Sequence, residues 1–293
     1  MGDFAREAGA ASQAADGAGT SEPPRLIATD LDGTLLDSHG RVSPRTQEAL
    51  AGVWERGIMT VFVTARPPRW LHALEEAVGA HGIAICANGA FVYAVDERRV
   101  ISSTGMDRDT VLDVVSDVRR EIPGAGFAAE RATGVHADDA FLALRHYSHV
   151  LDAHADTIEV NAPIDSVSGT IGKLLVRAPE LIAAGEREES VQAVADIVGA
   201  RASVQFSGAV GLAEVGPLGV TKASTLAAWC AEREIPASAV WAFGDMPNDL
   251  PMLTWAGRSF AVANAHPDVL ATATHRTGHH DADGVAEVLE SLL

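Results

Sequence analysis

The chain has 293 residues, 47% of them hydrophobic and 5% aromatic, which is enough for one large or two modest cores. Its formal charge of −18 disfavours nucleic acid and anionic lipid as partners, and no basic cluster offsets it, since Arg98-Arg99 and Arg119-Arg120 are isolated pairs. Cys86 and Cys230 lack metal-ligand spacing and fit buried thiols in a reducing cytoplasm, with no disulfide expected between them.

Residues 1–24 are rich in Ala, Gly, Ser and acid, contain no apolar run long enough for a signal peptide or a membrane span, and close with Pro23-Pro24. They read as a disordered tail on a soluble protein. An apolar run, Leu26-Ile27-Ala28-Thr29, then ends abruptly in Asp30 and Asp32, with Gly33 permitting a tight turn. Buried parallel strands are nearly continuous hydrophobic runs, and ligands in open α/β sheets bind beyond their carboxyl ends. Two carboxylates held this close stay ionised together only beside a cation, and hard divalent ions such as Mg2+ prefer such oxygens. An ordinary turn after a strand is the plainer alternative.

A helix is predicted next, with Ser43 as N-cap, Pro44 at its first position and Gly57 at its end. The strand Ile58–Thr64 follows it, closing on a hydroxyl that can donate to a phosphate oxygen together with free N–H groups of the Ala65-Arg66-Pro67 turn, or can simply be structural. From about Phe91 to Gly216 lies an insertion too long for a loop. Val111, Leu112, Val115 and Val118 share one helical face there, Ser190–Val198 repeats the spacing, and Gly172–Val176 and Ala202–Phe206 read as strands. His136, Arg145, His146 and Tyr147 are polar residues of this insertion that read as surface or satisfied groups, and His279-His280 as a solvated turn.

Gly219–Trp229 is a predicted helix whose first turn carries Lys222. A cation is unfavourable at that helix end and asks for an anion nearby. Lys173 and Lys222 are the only lysines among the 22 basic residues, so a lysine in this place is more telling than an arginine. Ala239–Gly244 then repeats the opening design, an apolar strand delivering Asp245, Asn248 and Asp249, which can serve a metal, cap the helix near Pro247, or both.

Asp, Thr, Lys and Asp at four strand or helix ends, in this order, resemble the four motifs of the haloacid dehalogenase (HAD) superfamily of phosphotransferases. Asp30–Leu35 resembles the first motif, Thr64 the second, Lys222 the third, and Gly244–Asp249 the fourth. Val63–Pro67, Asn88-Gly89-Ala90, Ala263-Asn264-Ala265 and Asp283–Ala286 resemble the Cof-type branch (HAD-IIB), which carries a large α/β cap. The resemblance implies an α/β fold: a Rossmann-like parallel-sheet core from 25–90 and 217–293, with an inserted α+β cap at 91–216 that covers the site. It implies that Asp30 attacks phosphorus to form an aspartyl-phosphate and that Asp32 protonates the leaving oxygen and then activates water. It also implies a metal site of Asp30, Asp32, Asp245 and Asp249, with Mg2+ held by the Asp30 side chain, the Asp32 carbonyl and Asp245 while Asp249 orients a metal-bound water, and phosphoryl oxygens gripped by Thr64, Lys222, Asn248 and the N–H groups of Leu31 and Ala65. The expected activity is Mg2+-dependent hydrolysis of small phosphate esters in the cytoplasm, with sugar phosphates ahead of nucleotides, flavin mononucleotide and pyridoxal phosphate. A sugar phosphomutase using the same residues and a non-catalytic phosphometabolite-binding protein are the alternatives. A dehalogenase needs neither Asp32 nor the metal carboxylates and is disfavoured.

Overall fold

The computed structural model describes residues 22–71, 74, 82–144, 158–160, 162–179, 181, 191–206 and 211–293. The expectations for Arg145, His146, Tyr147, Ser190 and the tail up to Ser21 fall outside these residues. The chain builds β1 (Leu26–Thr29), β2 (Met59–Val63), β3 (Ile83–Cys86), β4 (Phe91–Ala94) and β5 (Arg99–Ser103), then β6 (Gly126–Arg131), β7 (Gly134–Ala137), β8 (Ile158–Val160), β9 (Ile171–Arg177), β10 (Ser203–Phe206) and β11 (Leu212–Gly216), and finally β12 (Val240–Gly244), β13 (Arg258–Ala261) and β14 (His275–Arg276).

Two sheets result. The first runs β14-β13-β12-β1-β2-β3-β4-β5, parallel from β14 to β3 and antiparallel beyond it. The second runs β10-β11-β9-β6-β7-β8 and is antiparallel except where β8 joins β7. In the first sheet the chain moves outward from β1 through β2 and β3 on one side and through β12, β13 and β14 on the other, so β1 is where the strand order reverses. The crevice beyond the carboxyl ends of such strands is the place an open α/β sheet offers a ligand. Every residue of β1 and β12 is buried, which accounts for their unbroken apolar sequences.

The sequence expectation put the start of the insertion at Phe91. β4 and β5 instead extend the first sheet as an antiparallel hairpin off β3, and the chain leaves that sheet only after Ser103. The apolar Phe91-Val92-Tyr93 run is satisfied by pairing with β3, and its sequence does not say which sheet it joins.

Helix α1 (Pro44–Glu55) begins as predicted, with the Ser43 side chain accepting from the Thr46 N–H, and Gly57 beyond its end takes φ +78°. On one face of the second sheet lie α2 (Arg108–Glu121) and α3 (Gln192–Val198). In α2 the buried stripe is Val111, Val114, Val115 and Val118; Leu112, expected on this stripe, is half-buried at its edge. The other face of that sheet turns Ala128, Leu175 and Leu212 toward Trp70 of the first unit. α4 (Lys222–Ala231) starts at Thr221, whose hydroxyl accepts from the Ser224 N–H while the Ser224 hydroxyl receives the Thr221 N–H. Cys86 and Cys230 are both buried thiols.

Candidate active site

Asp30 follows the last residue of β1, and its N–H donates to the Phe243 carbonyl of the neighbouring β12 at 3.0 Å. The chain then winds tightly from Leu31 to Leu35, and the Leu36 N–H closes the turn on the Leu31 carbonyl at 2.9 Å. Gly33 takes φ +77°, and a Cβ placed on it would sit 2.5 Å from Asp245 Oδ2. Glycine is therefore required at this position by both backbone conformation and space.

Lys222, at the first position of α4, is 3% exposed and reaches into the crevice. Its Nζ donates to Asp30 Oδ1 at 2.6 Å and to Asp249 Oδ1 at 2.8 Å. The other oxygen of Asp249 receives the N–H groups of Asp245 and Met246, both at 3.2 Å, so Asp249 caps its own turn and faces Lys222 at once. Thr34 Oγ1 donates to Asp245 Oδ1 at 3.0 Å. Carboxylate oxygens of Asp30, Asp245 and Asp249 lie within 4.8 Å of one another, although Asp30 is more than 200 positions from the other two along the chain.

The electrostatics of this cluster follow from burial. Three carboxylates against one ammonium leave two negative charges in a nearly dry place, where a charge is costly. Burial raises Asp30 well above the ordinary carboxylate value, opposed by Lys222 and reinforced by Asp249. Burial, and then Asp249, push Asp245 up to about 6. Burial opposes the charge on Lys222, but Asp249 and Asp30 more than offset it and hold its ammonium above the ordinary lysine value. A hard cation with two charges suits this donor set: it is all oxygen, closely spaced, and short of two positive charges.

The remaining predicted residues divide. Thr64 is fully buried at the end of β2, and its Oγ1 accepts the Arg66 N–H at 3.1 Å. Leu31 and Ala65 stand at the starts of the turns after β1 and β2. Asp32 lies outside the carboxylate cluster. Its side chain is 56% exposed, and Arg66 grips both its oxygens, through Nε at 2.8 Å and a terminal nitrogen at 2.5 Å. Asn248 is exposed on the turn Pro247–Asp249 and makes no side-chain bond to the cluster among the described residues.

Asn264, noted in the sequence only for the Ala263-Asn264-Ala265 resemblance and given no role, joins the site: its Nδ2 donates to the Gly33 carbonyl at 2.7 Å, and its Oδ1 receives the His280 N–H at 3.1 Å. His280 Nδ1 lies 2.7 Å from the Leu36 carbonyl, so of the His279-His280 turn read as solvated, His279 is exposed and His280 packs against the loop that follows Asp32. The pairing of Arg66 with Asp32 had one signal in the sequence, an arginine inside the Ala65-Arg66-Pro67 turn. His136, by contrast, is buried in the second sheet, with Nε2 2.9 Å from the Pro163 carbonyl.

The family model for haloacid dehalogenase-like hydrolases matches residues 27–289. The chain belongs to this family. Among curated HAD-like hydrolases, pyridoxal phosphate phosphatase YbhA of Escherichia coli strain K12 is 26% identical over 277 residues, covering 92% of this chain and 98% of the relative. HMP-PP phosphatase of Enterobacter sp. strain 638 is 28% identical over 281 residues, covering 92% and 96%. The fold is shared with a haloacid dehalogenase-like hydrolase from Bacteroides thetaiotaomicron, with a TM-score of 0.77 at 22% identity over 92% of this chain and all of that one. The family match is continuous and spans the second sheet as well as the first. No helix among the described residues is long and apolar enough to cross a membrane.

Proposed function

We propose that the protein is a Mg2+-dependent phosphatase of small phosphorylated metabolites that works through an aspartyl-phosphate on Asp30. The observation that carries this reading is the buried cluster of Asp30, Asp245 and Asp249 with Lys222 bonded across two of its members. Asp30 Oδ1 is held by Lys222, which fixes the carboxylate and leaves its other oxygen to attack phosphorus. As the new P–O bond forms, the ester P–O bond breaks and the leaving oxygen takes a proton from Asp32; Asp32 then removes a proton from the water that hydrolyses the acyl phosphate. The Arg66 fork takes one lone pair on each oxygen of Asp32, which orients the carboxylate and leaves a further lone pair on each oxygen for proton exchange. Asp30, Asp245, Asp249 and the Asp32 carbonyl would hold the Mg2+, which supplies positive charge between two anions that must meet. Lys222, the Thr64 hydroxyl, Asn248 and the N–H groups of Leu31 and Ala65 would grip the phosphoryl oxygens.

In this reading residues 25–103 and 217–293 form the catalytic unit and 104–216 a cap above it, in a cytoplasmic enzyme. Sugar phosphates are the first substrate class, with pyridoxal phosphate beside them because of the name of the Escherichia coli relative. The test is phosphate release from a panel of sugar phosphates, nucleotides, flavin mononucleotide and pyridoxal phosphate, with Mg2+ or EDTA, for the native chain and Asp30→Asn. Release that needs Mg2+ and is lost in the variant is the expected result. A variant as active as the native chain would overturn the assignment of the nucleophile.

A further inference from the structure

The chain uses arginine for nearly all of its basic positions, yet both of its lysines are buried, Lys222 at 3% and Lys173 at 4% exposure. The proposed chemistry accounts for Lys222 alone. Lys173 sits on β9 of the second sheet, in register with Glu130 of β6, and reaches across to the first unit. Its Nζ donates to the Ala65 carbonyl at 2.9 Å and to Glu214 Oε2 at 2.6 Å. Asn88 Nδ2 shares the same Glu214 oxygen at 3.2 Å. Two acceptors lying around a compact ammonium suit lysine, whereas arginine needs partners in the plane of its fork.

The contact falls on the turn after Thr64. There the Thr64 carbonyl receives the Asn88 N–H, the Arg66 carbonyl receives the Ala87 N–H, and the Ala65 carbonyl receives Lys173. The Arg66 N–H donates to Thr64 Oγ1. That hydroxyl therefore accepts from within the turn, and its own hydrogen is left to point at another acceptor; the Ala65 N–H takes part in none of these bonds. A cation on the Ala65 carbonyl fixes the plane of the Ala65–Arg66 peptide, hence the aim of the Arg66 N–H, and hence the orientation of the Thr64 hydroxyl.

We propose that Lys173 is a positioning residue for phosphate binding: seating the second sheet on the first sets the donor geometry of Thr64 and Ala65. The proposal rests on the reading of this turn as part of the phosphate grip. The probe is orthophosphate, titrated calorimetrically into the full chain with Mg2+ present and measured also as a competitive inhibitor of ester hydrolysis. Lys173→Met should weaken orthophosphate binding and raise KM about tenfold, the value of a charge-assisted hydrogen bond, with a smaller change in kcat. Glu214→Gln, which removes the anchor of the ammonium, should weaken binding about threefold. Leu174→Ala, on the opposite face of β9 in the core beneath α2 and α3, should lower the melting temperature without moving the phosphate affinity. Thr64→Val is the control on the grip itself. If Thr64→Val weakens binding while Lys173→Met and Glu214→Gln stay within about twofold of the native chain, the role of Lys173 is overturned and the phosphate grip stands. If Thr64→Val also binds as the native chain does, the turn is not the grip and both fall. Should Lys173→Met fail to fold, Glu214→Gln decides by the same criterion.

Discussion

Asp245 offers the sharpest test of the charge arrangement. Its ordinary value is 3.8, and burial with Asp249 lifts it to about 6 in the folded chain without metal. The folded state therefore binds this proton more tightly than the unfolded state, so its contribution to stability falls as pH rises through that interval. Above pH 7 the metal-free fold holds the carboxylate at a cost of about 3 kcal/mol. Asp245→Asn removes the charge while its amide oxygen can still receive Thr34 Oγ1, so the shape of the site persists. In EDTA at pH 7.5 the variant should melt higher than the native chain, by about 5 °C at the scale of a domain this large. The difference should shrink toward pH 5, where the native carboxyl takes up its proton. Saturating Mg2+ should raise the melting temperature of the native chain and leave the variant nearly unmoved. Differential scanning calorimetry at both pH values, with Mg2+ and with EDTA, reads all of this. A variant that melts lower in EDTA at pH 7.5, or gains as much from Mg2+ as the native chain, would refute the argument.

Two further outcomes follow from packing and from the sheet-to-sheet contacts. Gly33→Ala puts a Cβ 2.5 Å from Asp245 Oδ2 at a φ of +77°, so it should cost about 2 kcal/mol or more in thermal unfolding and reduce kcat/KM together with Mg2+ affinity. Arg69, from the turn after β2, forms a bidentate pair with Glu130 of β6 at 3.1 and 2.8 Å, both side chains being almost fully buried. Glu130→Gln should destabilise the fold by about 3 kcal/mol because it strands a buried guanidinium, whereas the double change Arg69→Met with Glu130→Leu should return most of that loss. Urea unfolding of Arg69→Met, Glu130→Leu and the double variant closes the cycle, and an additive double variant would contradict the buried-pair reading.

What the sequence revealed and what it hid have physical causes. Asp30, Thr64 and Asp245 were legible because strands buried on both faces leave little room for polar residues, so the first polar group after each apolar run marks the strand's carboxyl end. Lys222 was legible because its charge opposes the helix end on which it sits. The contacts of Arg69 with Glu130 and of Lys173 with Ala65 were not legible: they join residues 61 and 108 positions apart and depend on how one sheet lies over another, which no local period encodes. The Phe91–Ser103 hairpin was misassigned for the same reason, since an apolar strand fits the edge of either sheet. The exchange of Leu112 for Val114 on α2 reflects the width of a buried helical stripe, whose margin is set by the neighbouring α3.

The two buried lysines divide the work of one small region. Lys222 stands among three carboxylates and offsets one of their charges, leaving a deficit that a divalent cation matches and that protons fill in its absence, as the raised values of Asp30 and Asp245 indicate. Binding the cation should therefore release protons near neutral pH, and only the ionised form of Asp30 is a nucleophile. Lys173 touches no member of that cluster in the contacts described, and acts on the turn that would receive the phosphoryl oxygens from the opposite side. A chain with a net charge of −18 repels a phosphate ester at long range, so attraction has to be local. On the proposed reading, metal loading and the seating of the second sheet on the first are then separate preconditions for the same anion. This separation explains why a loss at Asp245 should appear in metal dependence, and a loss at Lys173 in phosphate affinity.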